Sequence, residues 1–88
     1  MCTYDTFRSA LDGSAKGPGS NWFHVTDATV YFDHPVHAMH EHTLNIDFAA
    51  PADGPGARVA VELSAASARD LIHAIQNALD AVPAEMTA

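Results

Sequence analysis

Between Leu44 and Leu63 the apolar residues alternate with polar ones, and from Ala68 to Val82 they recur every third or fourth position. Alternation marks strands with one buried side, and the longer recurrence marks one stripe of a helix. The period changes once and never changes back. This chain is therefore several strands followed by a single helix. Leu44, Ile46 and Phe48 share one side of a strand, with Thr43, Asn45 and Asp47 on the other. Val59, Val61 and Leu63 repeat the pattern, with Arg58 and Glu62 facing out. From Trp22 to Asp33, Ala28, Val30 and Phe32 alternate with Val25, Asp27, Thr29 and Tyr31, a further half-buried strand. Thr3 to Leu11, with Tyr4, Phe7 and Leu11, reads as a first strand.

The connections carry their own signals. The ten residues from Asp12 to Asn21 hold three glycines and a proline, the composition of a turn or flexible loop. Pro35 has no amide hydrogen and closes the second strand near His34. Ala50 to Ala57, with two Pro and two Gly, is a hairpin connection. Ala68, Leu71, Ile72, Ile75, Leu79 and Val82 form the helix stripe, Ser64 or Ser67 caps its first amides, Asp70 follows Ser67 by three, and Pro83 ends it. The expected fold class is α+β: a small antiparallel sheet of three to four strands, followed by one C-terminal amphipathic helix packed on one face. Residues 1–83 make the domain and 84–88 a frayed tail. One helix covers one face, so the other meets solvent, a ligand or another copy of the chain. Val25 and Tyr31 on that second face favour another copy.

Eighty-eight residues build one core. A domain so small is often helped by a metal or by self-association. Net charge is −7, with four basic residues, Arg8, Lys16, Arg58 and Arg69, scattered along the chain. Phosphate backbones and anionic bilayers are held by clustered cations, so neither nucleic acid nor membrane is an expected partner. No apolar run reaches the roughly 20 residues that span a bilayer, and the N-terminus lacks the pattern of a signal peptide. With a single cysteine, Cys2, the expected compartment is the cytoplasm.

The chemistry-bearing stretch is "DHPVHAMHEHTLNIDF", Asp33 to Phe48, which holds four of the six histidines within nine residues. Neutral imidazole presents a lone pair near pH 7, and the carboxylates of Asp33, Glu41 and Asp47 add oxygen donors. His34 and His37 sit in the turn. His40 and His42, if the next strand reaches back to them, point with Leu44. A turn pair and a strand pair then converge at the open end of one hairpin, a donor set suited to Zn, Fe, Ni or Cu. The spacing matches no motif of defined mechanism, and the helical H-E-x-x-H pattern is absent. The competing interpretation is a loop of exposed histidines, or a hydrogen-bond network that props the loop. Asp47 is either an acceptor orienting an imidazole, a general base, or a solvated residue beside Asn45. His24, ten residues before His34 along one strand, stands more than roughly 30 Å from it and takes a structural role. His73 lies on the polar side of the helix. Cys2 is a soft ligand, a nucleophile or an idle thiol.

Across "MCTY", "GSAKG", "VYFDHPVHAMHEHTLNIDF" and "GPGARVAVELSAASARDL", the chain resembles a family of small actinobacterial proteins of unknown function. The likeness is most distinctive at Asp33, His34, Pro35, His37, Glu41, His42, Asn45 and Asp47, and leaves His40 outside. The resemblance implies His34, His37 and His42 as the metal ligands, with Glu41 next. It brings no activity, and family members near secondary-metabolite genes point to tailoring chemistry on a small molecule.

The leading expectation is a homo-oligomeric, metal-dependent enzyme acting on a small molecule. His34, His37 and His42 hold a divalent transition ion (Zn, Fe, Ni or Cu). Glu41 serves as ligand or general base, and Asp47 orients an imidazole. The ion polarises a carbonyl or activates water, for isomerisation, hydration or hydrolysis, and iron or copper would add oxygen chemistry. The alternative is a non-catalytic oligomeric module that binds a ligand or partner and keeps its histidines for structure. A third is a pH sensor built from the clustered histidines.

Overall fold

The computed structural model describes residues 4–88. Four strands, β1 (Thr6–Lys16), β2 (Trp22–Asp33), β3 (Thr43–Ala49) and β4 (Arg58–Leu63), form one antiparallel sheet in the order β1-β2-β3-β4. One helix, α1 (Ala65–Asp80), follows. The α+β expectation holds, with four strands rather than three. Among the described residues no helix is long and apolar enough to cross a membrane.

The register sorts the side chains into two faces. Phe32, Leu44 and Leu63 stand opposite one another across β2, β3 and β4, as do Phe7, Val30, Ile46 and Val61 across all four strands. Ala28, Phe48 and Val59 make a third row. That face is apolar. The rows on the reverse side are Tyr31, Asn45 and Glu62, then Thr29, Asp47 and Ala60, with Asp33 opposite Thr43. Directly opposed residues share a side, so alternation along each strand separates the two sets.

One expectation about a loop is corrected. The glycine-rich stretch beginning at Asp12 is strand as far as Lys16, paired with Trp22 to Val25. A register shift between Ala10 and Gly13 sets Leu11 and Asp12 against the single residue Thr26, a bulge of one extra residue, and pairing with β2 outweighs the turn composition. The connection itself is short. Gly17 N–H donates to the Asn21 carbonyl, and Gly19 takes the left-handed φ of 68° that the turn requires. After Pro83, residues 84–86 form one exposed 3-10 turn.

The helix starts where Ser64 Oγ accepts the Ser67 amide at 3.1 Å. It ends before Pro83, its last turn closed by Ala81 N–H on the Asn77 carbonyl. It lies on the apolar face, chiefly against β3 and β4. The packing is loose: no residue of α1 is buried, and Ile72, Ile75 and Leu79 remain 64, 54 and 51% exposed. Between helix and sheet an open cleft of about 570 Å³ is lined by Val30, Phe32, Leu44, Ile46, Leu63, Leu71, Ile72 and Ile75.

Candidate functional site

The loop joining β2 to β3, residues 34–42, carries the histidines, and it lies over the polar face instead of projecting from the end of the hairpin. Glu62 holds it there. Its carboxylate, on β4 beyond β3, accepts the consecutive amides of Val36, His37 (3.0 Å) and Ala38 (2.8 Å). Three successive N–H groups aimed at one anion form a nest. Those bonds, Ala38 and Val36 foremost, hold the Glu62 carboxyl below the usual carboxylate range. Only the amides are fixed this way. The Val36 and Met39 side chains stand almost fully in solvent.

Under the loop lies a polar network. Thr43 Oγ1 donates to Asn45 Oδ1 at 2.6 Å, and the two residues are 0 and 5% exposed. Asn45 is thus buried, where its place on the outer side of the strand had implied a solvated residue. The reason is the loop, which lies across that side. Asp47 accepts from Arg58 at 2.6 Å and from the Tyr31 hydroxyl at 3.3 Å. Burial first, then the Asp47 charge and hydrogen bond, push the Tyr31 phenol above its ordinary value, so it stays neutral and donates. A pocket of about 510 Å³ opens between loop and sheet, lined by Tyr31, His34, His37, Asn45, Asp47, Arg58 and Glu62 among others.

The sequence-derived site residues divide. His34 and His42 meet, ring centroids 4.5 Å apart and tilted by 31°. His42 also stacks on Phe32 at 5.8 Å, and Tyr4 meets Phe32 edge-on at 6.2 Å, so the pair continues an aromatic column. His34 Nδ1–H donates to the Glu41 carbonyl at 3.0 Å, which puts the lone pair of the neutral ring on Nε2. His37 lines the pocket close enough to Glu62 to favour its charged form. His40 and the Glu41 side chain are exposed, and β3 begins at Thr43, after them. Asp47 has Tyr31 and Arg58 as its partners, both carboxylate oxygens engaged. Among the described residues no three His, Cys, Asp or Glu side chains gather as a metal-holding group. Cys2 lies outside the described residues.

The remaining histidines have other roles. His24 Nε2–H donates to the Asp12 carboxylate at 3.0 Å, tying β2 to the bulge of β1. His73 is exposed on α1. The group that sequence reasoning missed is Glu62, which had been assigned simply to the outward side of β4. Its parity with Asn45 and Tyr31 placed it on the side where the loop lies, but its partners are backbone amides, which no side-chain pattern announces.

No curated protein and no solved structure matches the chain. A family model described as "Family of unknown function (DUF6295)" matches residues 1–88. With its whole length matched, the chain belongs to the DUF6295 family.

Proposed function

We propose that this chain is a ligand-binding module that works as a homo-oligomer, with the histidine loop as the fixed roof of a polar pocket. The clamp of Glu62 on three amides supports the reading most. A roof anchored to the sheet is preorganised, so little ordering is left for a ligand to impose. The pocket volume, about 510 Å³, lies within the range of small-molecule sites, roughly 300–1,000 Å³. Arg58 is the permanent cation in the lining, and its half-exposed guanidinium has donors beyond the one given to Asp47. The ligand class is accordingly a small molecule with a carboxylate or phosphate end. Calorimetric titration with a panel of small carboxylates and phosphates tests this. A member that binds wild type and binds Arg58→Ala at least about tenfold more weakly supports the reading. Absence of binding throughout the panel, or equal binding to both proteins, opposes it.

A second reading, a metal-dependent small-molecule enzyme, is favoured by the approach of His34 to His42. It needs a third donor beside that pair, for which His37 and then Glu41 were the sequence candidates. Elemental analysis of untagged protein would find a stoichiometric transition ion, lost in a His34→Ala, His42→Ala double variant. Metal-free protein, with a melting temperature unmoved by zinc, iron or chelator, leaves the histidines structural.

A further inference from the structure

The apolar face is unfinished. A helix with its side chains is about 10–12 Å wide, whereas four strands at about 4.8 Å spacing span some 19 Å. α1 lies chiefly over β3 and β4, and the half of the face carried by β1 and β2, with Phe7 and Val30, has no helix of its own. The chain exposes 6609 Å². A compact monomer of 9.3 kDa exposes about 5,000 Å² by the surface–mass relation. The excess is roughly 1,600 Å². A stable pairing removes about 800 Å² per partner, so the excess is large enough to be an interface. The radius of gyration, 14.6 Å, also exceeds the roughly 12 Å expected of 88 compact residues.

The helix indicates what covers the cleft. On α1, Leu71, Ile75 and Leu79 are four residues apart, with Ala68 three before them and Val82, just past the end of the helix, three after, so the intervals read the same in both directions about Ile75. A two-fold interface needs one surface that complements itself, and an antiparallel helix pair meets that need when its seam is symmetric about the axis. The seam is also free of acid: Asp70 and Asp80 fall off it, so two copies of net charge −7 can approach along an uncharged stripe.

We infer that the missing half-layer is the α1 of a second copy, laid antiparallel beside the first with Ile75 at the two-fold axis. The inference rests on the homo-oligomer reading above and specifies its interface.

Sedimentation velocity and cysteine cross-linking test it together. Wild type sediments as a dimer, and Ile75→Glu, which sets two carboxylates face to face, raises the dissociation constant more than about 100-fold. His73→Glu, adding the same charge on another side of the helix, leaves the dimer intact. In a Cys2→Ser background, Ile75→Cys forms a disulfide-linked dimer under mild oxidation and Asn77→Cys does not. A dimer that survives Ile75→Glu, or cross-links equally through Asn77→Cys, overturns the helix seam and leaves the oligomer reading standing. Wild type that remains monomeric at about 100 µM overturns both.

Discussion

On its polar face the sheet is partly roofed by the chain's own loop, with the pocket between them. Tyr31, Asp47 and Arg58 satisfy one another there, Thr43 and Asn45 are buried, and Glu62 holds the roof through three amides. On its apolar face, one helix lies chiefly over two of four strands, with its own stripe half in solvent. The difference follows from what each face is made of. Hydrogen bonds are directional and pair group by group, so nine loop residues can complete a polar surface. Apolar burial scales with area, and sixteen helical residues do not supply the area that the facing sheet asks for.

Substitutions in one row of each face should separate these two conditions. Ile46→Ala, in the middle of the apolar face, costs roughly 2 kcal/mol, and its melting temperature depends on protein concentration if the cleft is closed by a second copy. Thermal melts at two concentrations check this. Ser64→Ala removes the acceptor of the Ser67 amide and costs about 1 kcal/mol, read by circular dichroism as earlier loss of helix.

Glu62→Gln acts on the polar face alone. Amide exchange at Val36, His37 and Ala38 quickens, while Ile46 and Val61 keep their protection. The pH dependence has a definite sign. Because the folded Glu62 carboxyl is held below its unfolded value, its contribution is complete above the unfolded value and disappears as pH falls through the lowered one. Loop amide shifts followed by NMR should therefore stay constant through the ordinary carboxylate range, near pH 4.3, and move only in stronger acid. The smallest expected effect is that of Asp47→Asn. With the neighbouring charge gone, the Tyr31 phenol titrates closer to 10 but stays raised, because burial is the larger cause. Ultraviolet titration of the phenolate measures it.

The alternation of Val59, Val61 and Leu63 and the three-four recurrence after Ala68 made the strand order and the single helix legible, since both are local periodicities. Gly13 misled, because a glycine at a bulge and a glycine in a turn look alike until the partner strand is known. His34 and His42 do meet, but not by the expected route, since β3 begins at Thr43 and His42 stays in the loop; the place of His37 was not legible either, because its amide answers to Glu62, a residue on another strand. The face expected to seek a second copy was the other one. Val25 is buried and Tyr31 bonds to Asp47 within one chain, so the pairing proposed above uses the helix side instead. That inversion was invisible in the sequence, where a stripe of the right period says that a helix will pack but not how much of a sheet it can cover.

The molar mass of wild-type protein by light scattering, followed over a dilution series, tests most directly whether this apolar face needs a second copy. Twice the 9.3 kDa of the chain, falling toward the single value only on strong dilution, is the result the account predicts. A constant 9.3 kDa at every concentration, with a melting temperature equally constant, would contradict it.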